Sequence, residues 1–272
     1  MKACMIAGDR SGSGKTSITL AVASLLSRRF AVQTFKVGMD YIDTSYHTAV
    51  AGRPCRNLDS FVLSDSENRE IFAHGCAGAD IAIIEGVRGL FEGAEALDDT
   101  GSSASIAKLL GVPVILVVDA RSITRSAAAL VNGFVSFDPS VRIAGVILNN
   151  VTGEQHKRKV RTAIETFCRI PVLGTIPRFS RETLTMRHLG LVPYLEGKKD
   201  RSFQEMVSSL AEEIAGYIDL DALLDCAADL LVPQEEGIFR VLEDDLSVTI
   251  GIARDEAFNF YYADLFDMLP VL

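Results

Sequence analysis

The sequence predicts an α/β fold, a mainly parallel sheet flanked by helices on both faces. Three observations carry this. Short apolar runs alternate with stretches of helical periodicity along most of the chain. The first apolar run ends in a glycine- and serine-rich turn that opens directly into a helix-compatible stretch. Later runs deliver Glu85, Asp119 and Asn149 to their C-terminal ends. Alternation of this kind gives a layered sandwich with right-handed crossovers.

The first run and turn read ACMIAGDRSGSGKT at residues 3–16. Strand, tight loop and helix start together make a phosphate cradle. Gly12 and Gly14 let backbone N–H groups approach an anion without a Cβ in the way. Lys15 can reach the outer phosphates, and Thr16 can place a hydroxyl on Mg²⁺. The candidate nucleotide-binding set is Ser11, Gly12, Ser13, Gly14, Lys15, Thr16 and Ser17. Asp9 stands where the standard pattern has glycine, and Gly8 precedes it, so the loop is a variant. A plain Gly/Ser linker explains the glycines but not a GKT opening an apolar helix.

Composition narrows the setting. The 272 residues are 48% hydrophobic, enough for a sizeable core. No apolar run approaches the length that spans a bilayer, and the N-terminus does not read as a signal peptide. The net charge of −9 argues against broad nucleic-acid binding and requires a local basic pocket for any anionic substrate. The five cysteines, Cys4, Cys55, Cys76, Cys168 and Cys226, form no CxxC pair. Free thiols in a reducing cytoplasm are expected.

In chain order, residues 2–8 form the first strand, and 15–28 a helix burying Ile18, Val22, Leu25 and Leu26. Residues 31–37 form the second strand. A loop over 39–47 then carries Asp40, Asp43 and His47 out of it, where function collects in such sheets. Residues 64–76 form a helix with Ser64 as N-cap and Glu67 as its capping-box partner. Residues 80–84 form the third strand, which hands Glu85 to its end. A carboxylate there can hold Mg²⁺ directly or through water; a strand-ending acid facing solvent is the plainer reading. Helices follow over 102–111, 124–136 and 154–168, and strands over 113–119, 141–148 and 171–177. The basic face of 154–168 reads as a solvated surface.

After Pro177 the pattern changes. Arg178, Arg181, Arg187 and His188 make a basic loop region. Helices are expected over 202–216 and 219–230, an acidic linker over 231–246 and a new strand over 247–253. One strand and one helix cannot build a core alone. They either dock on the main domain (1–230) or open a second one.

Several motifs together resemble the cobyrinic acid and Ni-sirohydrochlorin a,c-diamide synthases. They are AGDRSGSGKTS, KVGMDYIDTSYH, GRPCRNLD, IIEGVRGLFEG, LVVDARSITRSAAALVNGF, IPR, RHLGLVP and ARDEAFNFYY. The resemblance covers nearly the whole chain. It implies a P-loop NTPase fold shared with dethiobiotin synthetase. It implies ATP- and Mg²⁺-dependent phosphorylation of acetate carboxylates on a tetrapyrrole polycarboxylate, with ammonia then displacing phosphate. The ammonia comes from a C-terminal glutaminase domain or subunit with a cysteine nucleophile. Residues 247–272 resemble the opening of that domain, and no cysteine lies beyond Cys226, so this sequence is expected to carry the synthetase half. Met39 replaces the proline of the family's GPDYID.

The resemblance also implies roles. Lys15, Asp40 and Glu85 are the catalytic candidates, with Thr16, Asp40 and Glu85 on the metal. Asn149, Pro177 and Arg178 wall the adenine pocket, and Asp119 supports it. Tyr41, Asp43 and His47 face the substrate, with Tyr46 lining a pocket or filling the core. The helix start at Ser102 and Ser103 suits a carboxylate, although ordinary capping explains it equally well. Arg53, Arg56 and Arg88 complete a cationic rim. A homodimer is expected, with neither nucleic acid nor membrane as a partner. Two other readings stay open: a dethiobiotin-synthetase-like ligase, and a partitioning ATPase in which Arg10 stands where a signature lysine is usual.

Overall fold

The computed structural model describes residues 1–178, 201–231, 237–240, 249–255 and 257–269, with side chains of 201–204 outside that description. β1 (Lys2–Gly8) leads through the loop into α1 (Lys15–Leu26). β2 (Val32–Val37), α2 (Ile42–Ala51), β3 (Arg56–Leu58), α3 (Asp65–Cys76) and β4 (Ile81–Gly89) follow. α4 (Ser103–Leu110), β5 (Val114–Asp119), α5 (Ser126–Phe137), β6 (Ile143–Val151), α6 (Gly153–Phe167) and β7 (Val172–Pro177) complete the alternation. α7 (Arg201–Ala215), α8 (Leu220–Cys226), β8 (Ala228–Asp229) and α9 (Ala263–Met268) come last.

The strands lie in the order β3-β2-β4-β1-β5-β6-β7, parallel throughout. β8 pairs antiparallel with the first residues of β1. It fits there because β5 joins β1 only from Met5 onward. Burial on both faces explains the poor apolar alternation of the strands. Ala3, Met5 and Ala7 of β1 pack into one hydrophobic layer; Cys4 and Ile6 pack into the other. The chain leaves β1 for β2 on one side and returns to β5 on the other. Such a reversal opens a crevice at the carboxyl ends of the strands, and the phosphate loop sits in it.

Local chemistry sets several boundaries. Ser64 and Glu67 make the expected capping box at the start of α3, an arrangement in which the cap residue is worth about 1 kcal/mol. α6 buries Val160, Ala163 and Ile164 and turns its basic residues outward.

Other boundaries depart from the sequence reading. Residues 42–47 are helix, not loop. Asp40 Oδ1 accepts the N–H groups of Ile42 and Asp43 at 3.0 and 2.9 Å, which starts α2 despite its β-branched and aromatic residues. β3 has no apolar run to announce it. α5 begins at Ser126 instead of 124. α8 ends at Cys226 because Ala227 is extended (ψ 142°), and Ala228–Asp229 then pair with β1. Residues 249–253 form no strand.

The described part of the C-terminal region docks on the sheet domain. Tyr41 packs against Phe260 and Tyr262, with ring centroids 5.5 and 5.4 Å apart. Arg56 of edge strand β3 pairs with Asp264 and Asp267 of α9. Of the expected linker, 237–240 form a turn held to α3 by the Ile238 N–H to Glu70 bond (2.6 Å) and by Phe239 stacked on His74. Residues 232–236 and 241–248 lie outside the described residues, as do Arg181, Arg187 and His188.

Candidate active site

The phosphate loop is shaped by what its glycines avoid. Gly12 and Gly14 have φ of 75° and 96°. A Cβ on Gly14 would stand 2.2 Å from Asn149 Nδ2, and one on Gly8 would stand 2.4 Å from Ser13 Oγ. The close packing that the variant loop needs therefore falls at Gly8, leaving position 9 free to carry a side chain. Asp9 uses it to accept from Arg10 at 2.8 Å. Burial holds the Asp9 carboxyl above its ordinary range, and Arg10 opposes the shift. Ser13 Oγ is buried and has no hydrogen-bond partner among the described residues. Asn149 Nδ2 latches the loop by donating to Ser13 O at 2.8 Å.

Beside the loop, a cavity of about 380 Å³ is lined by Gly12, Lys15, Thr16, Asn149, Pro177 and neighbouring residues. Ser17 lines it too, so residues from β1–α1, β6 and β7 meet as the sequence reading places them. Ser11 is exposed and off its wall, and Arg178 lines a neighbouring cavity instead. Arg121, Leu210 and Ile214 also line the first cavity and were not anticipated.

The opposite end of the loop meets a buried charge cluster. Lys36 of β2 and Glu85 of β4 are in register on adjacent strands. Lys36 Nζ donates to Glu85 Oε1 at 2.7 Å and to Asp43 Oδ2 at 2.8 Å, with Asp40 Oδ2 at 3.7 Å. Thr16 Oγ1 donates to Glu85 Oε1 at 2.6 Å, and His47 Nε2 lies 2.5 Å from Glu85 Oε2. Both oxygens of Glu85 are thus engaged, and the cluster brings Thr16, Asp40, Asp43, His47 and Glu85 together. Lys36 was missed. Its signal was a lysine in the otherwise uncharged strand VQTFKV, four residues before Asp40.

The charge states follow from this packing. Burial pushes the Glu85 carboxyl up, but Lys36 and His47 outweigh it and hold the group far below the carboxylate range. Burial works against the Lys36 ammonium, yet Glu85, Asp43 and Asp40 keep it above the ordinary lysine range. Lys15 is lowered by burial and by Lys36. Asp43 is raised by burial and by Glu85, which together outweigh its own contact with Lys36.

The remaining predicted residues sit elsewhere. Ser102 caps α4 by accepting from Ser105 N–H at 3.1 Å. Ser103 Oγ accepts from Val87 N–H at 2.8 Å, pinning the last part of β4 beyond Glu85. Arg53 donates to Gln33 and to the carbonyls of Gly75 and Ala77. Arg56 is held by α9, away from any cationic rim. Arg88 is exposed beyond Glu85, with φ 45°. Tyr46 is buried in the core. Asp119 accepts from Arg121 and Asn150 beside the cavity.

The donor set fits a magnesium nucleotide. Glycines at positive φ and the orphaned Ser13 hydroxyl frame the phosphate cradle. Among the described residues no three His, Cys, Asp or Glu side chains form a metal cage. Mg²⁺ does not need one, since a hydroxyl and one or two carboxylates complete its shell with phosphates and water.

The family described as CobQ/CobB/MinD/ParA nucleotide binding domain matches residues 4–191. The chain is 50% identical over 278 aligned positions to a cobyrinate a,c-diamide synthase of Methanosarcina acetivorans, covering 98% of this chain and 56% of that protein. It is 49% identical to the Methanosarcina barkeri protein of the same name, covering 97% and 56%. With the Methanobrevibacter smithii protein of that name the identity is 45%, covering 97% and 58%. The chain thus spans a little over half the length of these relatives. With its phosphate loop, paired acids and matched residues 4–191, the chain belongs to the CobQ/CobB/MinD/ParA nucleotide-binding domain family.

Proposed function

We propose that this chain is the ATP-dependent half of an a,c-diamide synthase acting on cobyrinate or a closely related tetrapyrrole polycarboxylate. The observation that carries the reading is the convergence of Thr16, Lys36 and Glu85 beside the phosphate loop. The identity to proteins named cobyrinate a,c-diamide synthase supports the substrate class.

A substrate acetate oxygen attacks the γ-phosphorus of ATP, and ADP leaves. Ammonia then attacks the acyl carbon of the resulting acyl phosphate; phosphate departs, a proton is lost and an amide remains. Lys15 offers charge to the transferred phosphoryl group. Thr16, Glu85 and Asp40 are the groups that would hold Mg²⁺, which neutralises phosphate charge when bound. Lys36 keeps Asp43 and Glu85 together where two acids would otherwise repel. His47, buried against Glu85, acts as a positioning residue and not as a substrate contact. Nitrogen comes from free ammonia or from a glutaminase domain or subunit. A homodimer in the cytoplasm is part of the same proposal.

The test supplies the polypeptide with ATP, Mg²⁺, ammonium and either cobyrinate or Ni-sirohydrochlorin, and counts amidations by mass. Two amides on one ring support the reading. No mass shift with either ring, alongside turnover of a diaminocarboxylate, would transfer the activity to a dethiobiotin-synthetase type.

A further inference from the structure

We propose that the mouth between the starts of α5 and α6 is an oxyanion site, separate from the phosphate loop, for a ligand bearing several carboxylate or phosphate groups. A cavity of about 460 Å³ opens there, lined by Arg121, Thr124, Thr152, His156, Lys159 and Arg178 among others. Its lining contains three permanent cations and no carboxylate. It shares only Arg121 with the cavity beside the phosphate loop.

The cations differ in how far they are already satisfied. Arg121 is paired with Asp119 at 2.5 Å. On α6, Lys157 pairs with Glu154 and Arg161 with Glu165. Lys159 stands between them and has no ion pair among the described residues, and the same holds for Arg178. Solvated surface cations normally spread apart. Here three converge on one concavity in a chain of net charge −9, an arrangement that an anion relieves.

The frame of the cavity is fixed. Thr152 N–H donates to His156 Nδ1 at 3.0 Å, and His156 Nε2 meets Ile123 O at 2.6 Å. Both ring nitrogens are therefore occupied, and His156 braces α6 against the loop before α5 without contacting a ligand. Ser122 and Thr124, on the loop before α5, add hydroxyls to the lining, whereas the Thr152 hydroxyl is turned to His156 Nδ1 at 3.0 Å. Guanidinium and ammonium groups with hydroxyls between them suit carboxylate or phosphate oxygens.

The experiment first fills the phosphate loop with Mg²⁺ and a non-hydrolysable ATP analogue. Calorimetry then titrates pyrophosphate and, separately, tricarballylate, a tricarboxylate without phosphorus. Binding of either probe to the loaded protein is expected, and Lys159→Glu should weaken it by about tenfold or more, roughly 1.4 kcal/mol. Lys159 is exposed on α6, so the fold should hold, and affinity for the ATP analogue should stay unchanged. Tighter pyrophosphate binding assigns a phosphate ligand; tighter tricarballylate binding assigns a carboxylate. Absence of binding by both probes, or binding that Lys159→Glu leaves intact, overturns the proposal.

Discussion

Lys36 Nζ lies 2.7 Å from Glu85 Oε1, both side chains are all but inaccessible, and the two residues face each other in register on parallel neighbours. A buried ion pair of this kind is costly to break from one side. Lys36→Met leaves Glu85 and Asp43 buried without their cation. It should lower unfolding free energy by about 3 kcal/mol, measured by urea denaturation. Adding Glu85→Gln should recover part of that loss. A single variant as stable as the parent would show that the pair does not hold the sheet centre.

Asp43 behaves in the opposite sense. Burial and Glu85 raise its pKa, so the folded state holds its proton more tightly than the unfolded chain does. Stability from this group is complete below the ordinary carboxylate range and is lost as pH rises through the raised value. Asp43→Asn should therefore match the parent in acid and melt higher than the parent at neutral pH. Thermal melts across that window check it. A variant that falls further below the parent as pH rises would contradict the charge assignment.

Arg56 ties α9 to the sheet edge. Asp264 is raised by burial, against the pull of Arg56, whereas Asp267 is lowered chiefly by its bonds to Arg56 and His74, which overcome its burial. Arg56→Met should undock residues 258–268 and speed amide exchange there by about tenfold or more, roughly 1.4 kcal/mol of local opening. It should leave exchange in β1 and β5 unchanged. Unaltered protection of 263–268 would mean that the aromatic stack on Tyr41 alone secures the segment.

Much of this architecture was legible in the sequence, for physical reasons. The phosphate loop, the Glu85 strand end and the α3 capping box are local patterns, each complete within a dozen residues. The cluster around Lys36 was legible only in part: Thr16, Asp40 and Glu85 were expected together on a metal, but Lys36 of β2 joins members from α1, α2 and β4 only through strand register. α2 was hidden because Asp40 starts it by accepting two N–H groups, an effect invisible in propensities of residues such as Thr44, Tyr46 and Thr48. Arg53 and Arg56 were expected on a cationic rim, yet their partners lie 20 or more residues away and absorb both. The valine–isoleucine pattern near 250 promised a strand, but at the β3 edge of the sheet, a strand only three residues long, it is α9 that packs.

The phosphoryl-transfer step is the centre of the proposed chemistry, and oxygen labelling reads it directly. Substrate carrying ¹⁸O in its acetate carboxylates is incubated with the polypeptide, ATP, Mg²⁺ and ammonium, and the released phosphate is analysed by mass. Attack of the carboxylate on ATP predicts one ¹⁸O in phosphate for each amide formed, and Lys15→Ala should abolish both signals together. Amide formation accompanied by unlabelled phosphate would contradict the acyl-phosphate route, and with it the role assigned to the site around Lys15 and Glu85.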